Sequence, residues 1–247
     1  MKKRLFPILL LLPLSLLAQD ARQFKQSIPV NDARQSTVKL EIPVGELNLK
    51  TGSTQLLEAN VAYDRVDRKP TMQLNRTNGS TSLTLKQGDF KSENKTGDNK
   101  WDISLSKTLL LHLELEMGAG TSKLDLSNSR LQTLDIEAGA TSIDLNLKGS
   151  TVKEVEIAAG VGELNLDLTG NWNHDVKLEI SGGIGEVNLK LPKNTGVRIN
   201  PTGLGSSNLN GFRKNGSYYQ NAAYGKSKHT LTIHVSGGMG SLNVIEG

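Results

Sequence analysis

Read only for apolar and polar positions, the chain repeats itself. LDIEAGATSIDLNL (134–147) and VEIAAGVGELNLDL (155–168) each give an alternating segment, a glycine-rich step and a second alternating segment. Alternation marks a strand with one buried face. The frame apolar-x-apolar, six residues, apolar-Asp/Asn-apolar runs from Leu115-x-Met117 to Leu124-Asp125-Leu126 and from Leu134-x-Ile136 to Ile143-Asp144-Leu145. It returns from Val155-x-Ile157 to Leu164-Asn165-Leu166 and from Leu178-x-Ile180 to Val187-Asn188-Leu189, and closes from Ile233-x-Val235 to Leu242-Asn243-Val244. A degenerate copy begins at Val197-x-Ile199 and reaches Asn208-Leu209. The starts lie 19, 21, 23 and 19 residues apart, then 36 across an insertion.

Within a copy, the two segments are joined by a step of seven residues, as from Ile157 to Leu164. Seven is odd, so a straight strand would turn those side chains to opposite faces. The chain must bend there, and Gly160 with Gly162, or Gly183 with Gly185, stand at the place. Glycine reaches positive φ without steric cost and lets successive bends pack closely. Strand patterns flank these glycines on both sides, which is not the strand–loop–helix context of a nucleotide site. Units that bury an apolar edge only by stacking predict an all-β single-stranded β-helix or β-solenoid. Its coils are about 20 residues long, with no substantial helix in the mature chain.

The ends differ from the repeats. Residues 1–18 have the order of a signal peptide: Lys2, Lys3 and Arg4, then LFPILLLLPLSLL, then Ala18 as the residue before the cut. Residues 19–36 read as a flexible leader and 37–110 as an N-terminal β cap, with the repetitive solenoid over 111–247. In the cap, VKLEIPVGELNLK (38–50) resembles the repeat but with a corner read as two residues shorter. Short strands are expected at Leu57–Tyr63, Thr71–Leu74, Ser82–Lys86 and Trp101–Leu105, with an exposed loop over Lys86–Lys100. The insertion at 211–230 holds Tyr218, Tyr219 and Tyr224, three of the four tyrosines, near Phe212.

Two groups of side chains are candidates for chemistry. Asp125, Asp144, Asn165, Asn188, Asn208 and Asn243 occupy equivalent places in the repeat. Stacked in register they form a column, which reads either as a ladder of side-chain hydrogen bonds or, at Asp125 above Asp144, as a carboxylate pair. The tyrosines, together with Trp172, are the candidate interaction surface: aromatic rings stack on sugars or partner peptides, or else fold back to cover the last coil. His112, His174, His229 and His234 have no neighbour at metal-ligand spacing, and no serine sits in a nucleophile elbow. The sequence thus offers no catalytic residue, no metal site and no cofactor site.

Charge and cysteine content narrow the setting. Three of the 29 Lys and Arg lie in the expected signal peptide and none of the 25 acids does, so the formal charge falls from +4 to +1 on cleavage. That balance argues against nucleic acid as a partner. With no cysteine, disulfides, thiolate metal sites and a lipobox anchor are excluded. No later apolar run is long enough for a membrane span, so no transmembrane segment is expected after signal cleavage.

The stretches MGAGTSKLDLS, AGATSIDLNL and AGVGELNLDL, followed by NGFRKNGSYYQNAAYGKSKHTLTIHVSGGMGSLNV, resemble bacterial toast-rack domains. These are envelope-associated β-solenoids related to the C-terminal part of LiaF-like cell-wall stress-response proteins. The resemblance covers Thr108 to Val244, and the earlier segment resembles the N-terminal toast-rack extension. It implies that the aromatic stretch caps the last strand pair, and it lends no catalytic residue. LiaF-like regulators carry membrane helices ahead of this domain and restrain a sensor kinase. This sequence shows a signal peptide there instead, so the kinase role is not carried over.

The expected protein is therefore an exported, non-enzymatic binding or scaffolding module. Its setting is periplasmic, secreted or at the cell surface, its partner an envelope protein or cell-wall glycan, and its context envelope stress. Two alternatives stand beside it. One is a carbohydrate-active β-helix enzyme using Asp125, Asp144 and Tyr218 or Trp172. The other is an adhesin or coat protein that assembles end to end.

Overall fold

The structure is a computed structural model that describes residues 22–88 and 99–247. The expected signal peptide and residues 89–98 of the expected loop lie outside the described residues. The first strands are β1 (Arg22–Ile28), β2 (Gln35–Ser53), β3 (Leu57–Tyr63), β4 (Thr71–Thr77), β5 (Ser80–Lys86) and β6 (Lys100–Ser106). Then come β7 (Leu110–Asp125), β8 (Leu131–Asn146), β9 (Glu154–Asp167), β10 (Val176–Leu191) and β11 (Gly196–Thr202). The chain ends with β12 (Ser206–Asn208), β13 (Arg213–Asn215), β14 (Tyr218–Gln220) and β15 (Thr230–Glu246). Among the described residues the only helical element is the single 3-10 turn Val66–Arg68. The protein is nearly all β, and its strands form one sheet that does not close.

Six long strands make the middle of that sheet, side by side and parallel in the order β2-β7-β8-β9-β10-β15. Each runs through both alternating segments of a copy and bends between them. The bend shows in burial: in β9, Val155 and Ile157 are buried, then Leu164 and Leu166, so the buried parity changes across the glycines. The side chains of both segments meet in one continuous core that extends from Val38 to Val244. Each Leu, Ile or Val fully removed from water there contributes about 1.5–3 kcal/mol.

The bends need glycine at particular places. Gly162 has φ +153°, and a Cβ on it would collide with the Thr141 carbonyl oxygen of the neighbouring strand. Gly120 stands in the same relation to Gly45. Backbone lies directly on backbone at these two positions, so neighbouring bends nest without room for a side chain.

The register corrects the sequence reading in three places. Leu113, not Leu115, lies beside Leu134, and Leu115 lies beside Ile136, so the first step is 21 residues rather than 19. The corner of β2 is not short: Ile42 pairs with Met117 and Leu49 with Leu124, seven residues apart in both strands. The degenerate copy at Val197 does not stack on β10. The last strand, β15, inserts between β10 and β11, with Leu178 beside Ile233 and Ile233 beside Ile199.

Both ends of the parallel stack are finished in the same manner. The last full-length strand is paired along its two halves by separate short strands, β5 and β6 on β2, and β11 and β12 on β15. Antiparallel strands then cover these: β4 on β5, β3 and β1 on β6, and β14 and β13 on β11. The four short strands expected from the sequence are β3 to β6. Residues 22–28, expected in a flexible leader, instead form β1, because Phe24 and Ile28 pack on the core and all seven residues pair with β3. Open sheet edges recruit other chains, and short covering strands are a common remedy.

Candidate functional site

The polar parity of the second segments builds a column along the outer face. Asp144, Asn165, Asn188 and Asn243 sit side by side, and Asn208 adjoins Asn243. Asn165 Nδ2 donates to Asp144 Oδ1 at 2.9 Å, Asn188 Nδ2 to Asn165 Oδ1 at 2.9 Å, and Asn243 Nδ2 to Asn188 Oδ1 at 3.0 Å. This is the hydrogen-bonded ladder. The carboxylate pair is not formed: Asp125 adjoins Asn146, and the residue beside Asp144 in β7 is Lys123. Asp125 and Asp144 stand in different rows because the first step is two residues longer than the motif suggested. Asn146 Nδ2 donates to Asp125 Oδ1 at 3.2 Å, so Asp125 belongs to a second polar row.

That second row continues to Asp167 and Lys190. Burial works against the Asp167 charge. Hydrogen bonds from the Thr169 hydroxyl and amide, with Lys190 Nζ 3.7 Å away, outweigh it and leave the carboxyl below its usual range.

On the first segments the outer face is acidic. Glu114, Asp135, Glu156 and Glu179 are neighbours in one row, and Glu116 and Glu137 in the next. Lys39 closes this face on β2: its ammonium lies 2.6 Å from Glu116, and that hydrogen bond, against slight desolvation, holds its pKa above the usual lysine value. Lys177 lies 3.3 Å from Glu179 on β10. Where the bend carries Gly118, Gly139 and Gly160, an open groove of about 720 Å³ crosses the strands.

The aromatic insertion folds as a hairpin over the C-terminal end. Gly216 and Ser217 form its two-residue loop with φ +60° at Gly216, the glycine-first geometry that suits a tight hairpin. Asn215-Gly216-Ser217 carries that signal in the sequence, so the two short strands it joins were legible within the insertion. Asn221 ties the segment down: its Oδ1 accepts from the Val197 amide at 2.9 Å and its Nδ2 donates to the Thr195 carbonyl at 2.9 Å. Tyr219 lies opposite Ile199 and is half-buried, with Lys214 Nζ 5.8 Å from its ring centre, and Phe212 packs against the core. Tyr218 has the other parity and faces outward with Arg198, whose guanidinium carbon is 5.0 Å from the ring centre. Tyr224 follows in a turn, half-buried. Phe212 thus covers the end of the stack, while Tyr218 stands on the outer face of the hairpin.

Trp172 does not belong to this surface, which corrects the sequence reading. It is 6% exposed, its Nε1 donates to the Leu168 carbonyl at 2.8 Å, and its ring meets His174 edge-on at 5.6 Å. An apolar ring in the turn between β9 and β10 does more by filling the core than by facing water. The histidines stay apart from one another: His112 bonds Thr133, His174 the Val152 carbonyl, and His229 lies 3.6 Å from Asp175. Among the described residues no cluster of His, Asp and Glu is arranged to hold a metal ion. No helix among them is long and apolar enough to cross a membrane.

Residues 192–245 contain no Asp or Glu, while Lys193, Arg198, Arg213, Lys214, Lys226 and Lys228 lie within them. Among the described residues none of these six makes an ion pair.

Comparison with known proteins gives a family model and several structures. The model for the N-terminal domain of toast_rack, DUF2154, matches residues 18–154 and 133–190. No curated protein matches the chain. A crystal structure of a candidate cell adhesion protein from Clostridium sporogenes has TM-score 0.70 and 28% identity, covering 92% of this chain and 100% of that one. A candidate adhesin from Bacteroides fragilis has TM-score 0.33 and 10% identity over 92% of this chain and 99% of its own. Another, from Parabacteroides merdae, has TM-score 0.28 and 9% identity over 92% and 97%.

Proposed function

This chain belongs to the toast-rack family, and from that premise we propose that it is an exported, non-enzymatic adhesion module of the cell envelope. It displays the outer faces of a β-solenoid with coils of about 20 residues to a surface protein or glycan. The observation that carries the proposal is the full-length likeness to a candidate cell adhesion protein at 28% identity. In-register steps of 21, 21 and 23 residues along β7 to β10 support the solenoid reading. The basic and apolar order of residues 2–18 supports export. The separation of Asp125 from Asp144 into different rows removes the carboxylate pair on which an enzymatic reading rested. A role in envelope stress fits the family resemblance.

The test is retention. Immobilised protein is incubated with envelope proteins and, separately, with cell-wall glycans, and bound material is identified and its affinity measured. Saturable binding of one of them at micromolar strength is the expected result. Turnover of a polysaccharide in place of retention, or no retention from either preparation, overturns the proposal.

A further inference from the structure

The C-terminal end of the stack carries cations without counter-charges, an outward aromatic ring and a defined geometry. Arg198 on β11 lies opposite Gln220 on β14, and Gln220 lies opposite Arg213 on β13. The three side chains share one face of three adjacent strands, so the two arginines are about 10 Å apart at the backbone. Tyr218, two residues before Gln220, projects from that same face with Arg198 against its ring. Arg198 Nε also donates to Thr232 Oγ1 at 3.1 Å, which fixes the guanidinium in place.

Resting on the adhesion reading above, we infer that this face binds an anionic glycan. Charge complementarity selects the partner: two arginines with no carboxylate paired to them, inside a span of 54 residues without an acid, fit regularly spaced carboxylates or phosphates. The ring and the amide select a sugar. A half-exposed tyrosine presents one apolar face to a pyranose, and Gln220 between the arginines, its Oε1 accepting from Asn215 Nδ2 at 3.5 Å, offers its Nε2 as a donor to hydroxyl groups. A protein partner is disfavoured, since among the described residues the exposed large hydrophobic ones, Val66, Val161 and Ile245, are not on this hairpin. Nucleic acid is disfavoured because this face carries one ring, Tyr218, which cannot stack successive bases.

The test measures binding of the full mature chain to four probes at low ionic strength. These are a polyuronate, a phosphomannan, neutral dextran and a single-stranded DNA oligonucleotide. The expected result is micromolar affinity for the polyuronate or the phosphomannan, weakening with added salt, and the tighter of the two identifies the acid group. Arg198→Ala with Arg213→Ala should weaken that binding about tenfold or more, and Tyr218→Ala about fivefold. Lys148→Ala, far along the stack, should leave it unchanged. Tyr218→Leu keeps apolar bulk in case the alanine variant fails to fold, and circular dichroism verifies each fold.

Equal affinity for dextran, DNA bound as tightly as the glycans, no binding at all, or indifference to the arginine substitutions overturns the inference. If the chain still retains an envelope partner while the four probes fail, the adhesion reading stands and only the anionic site falls.

Discussion

Asn188 Nδ2 donates to Asn165 Oδ1 across 2.9 Å, from one long parallel strand to the next. The same geometry on either side makes a chain in which each amide gives to one neighbour and receives from the other. Asn188→Ala removes two of these bonds from a half-buried position. At about 1 kcal/mol each, the loss should be about 2 kcal/mol. Thermal unfolding followed by circular dichroism should then show a midpoint lower by about 4–8 °C. A midpoint within experimental error of the native value means the column adds nothing to stability.

Two glycines separate crowding from backbone preference. Gly216 has φ +60° with nothing within 4 Å of an added Cβ, so Gly216→Ala should cost only the left-handed conformation, about 1 kcal/mol. Gly162→Ala adds a collision with the Thr141 carbonyl at the bend and should cost about 3 kcal/mol or more. Urea midpoints of the two variants should fall in that order. The reverse order would mean that the stacked bends yield easily.

These bends also show what the sequence made legible. Alternation located the segments of the repeats, and the odd step between segments required the bend that the change of buried parity displays. It could not set the register at the first repeat. Leu113, Leu115 and Met117 are alternate residues on one face, and a slip of two leaves every side chain on its proper side. Aligning Gly118 with Gly139 and Gly160 would have fixed it, because at these bends backbone contacts backbone and a slip is blocked sterically. The insertion of β15 between β10 and β11 was hidden for another reason. Both strands offer the same apolar pattern to a neighbour, and nothing local orders them. The arginine face has no motif of its own, since its mark in the sequence is the absence of acids over residues 192–245.

Trp101 and Trp172 are the two tryptophans of the chain, and both are buried, at 0% and 6% exposure. Native fluorescence should therefore peak toward the blue and shift to the red in one step with unfolding. Trp172→Ala removes a large core side chain and should cost about 3–5 kcal/mol. If Trp172 instead served a surface partner, the variant would melt like the native protein and lose only binding.

The acidic row tests electrostatics without disturbing the core. Glu156 lies between Asp135 and Glu179, and like charges directly opposite one another on a sheet are unfavourable. Glu156→Gln should raise the melting midpoint by about 1–3 °C at low ionic strength. The gain should shrink in about 1 M salt, where exposed charges are screened. A lowered midpoint at low salt would show that the row is held by favourable contacts that outweigh repulsion.

Asp167 supplies the acid-side prediction. Its carboxyl is desolvated, but the Thr169 bonds and Lys190 hold its folded pKa below the ordinary 3.8. Between the folded and unfolded values the unfolded chain binds more protons, so this contribution to stability is complete above about pH 4 and is lost as pH falls through the folded value. Asp167→Asn removes the titration and the attraction to Lys190. The native chain should therefore exceed the variant in urea midpoint at pH 7, and the gap should narrow steadily below about pH 4. A gap that stays constant into strong acid would mean that Asp167 acts through shape alone, and that its carboxylate is not stabilised by Thr169 and Lys190.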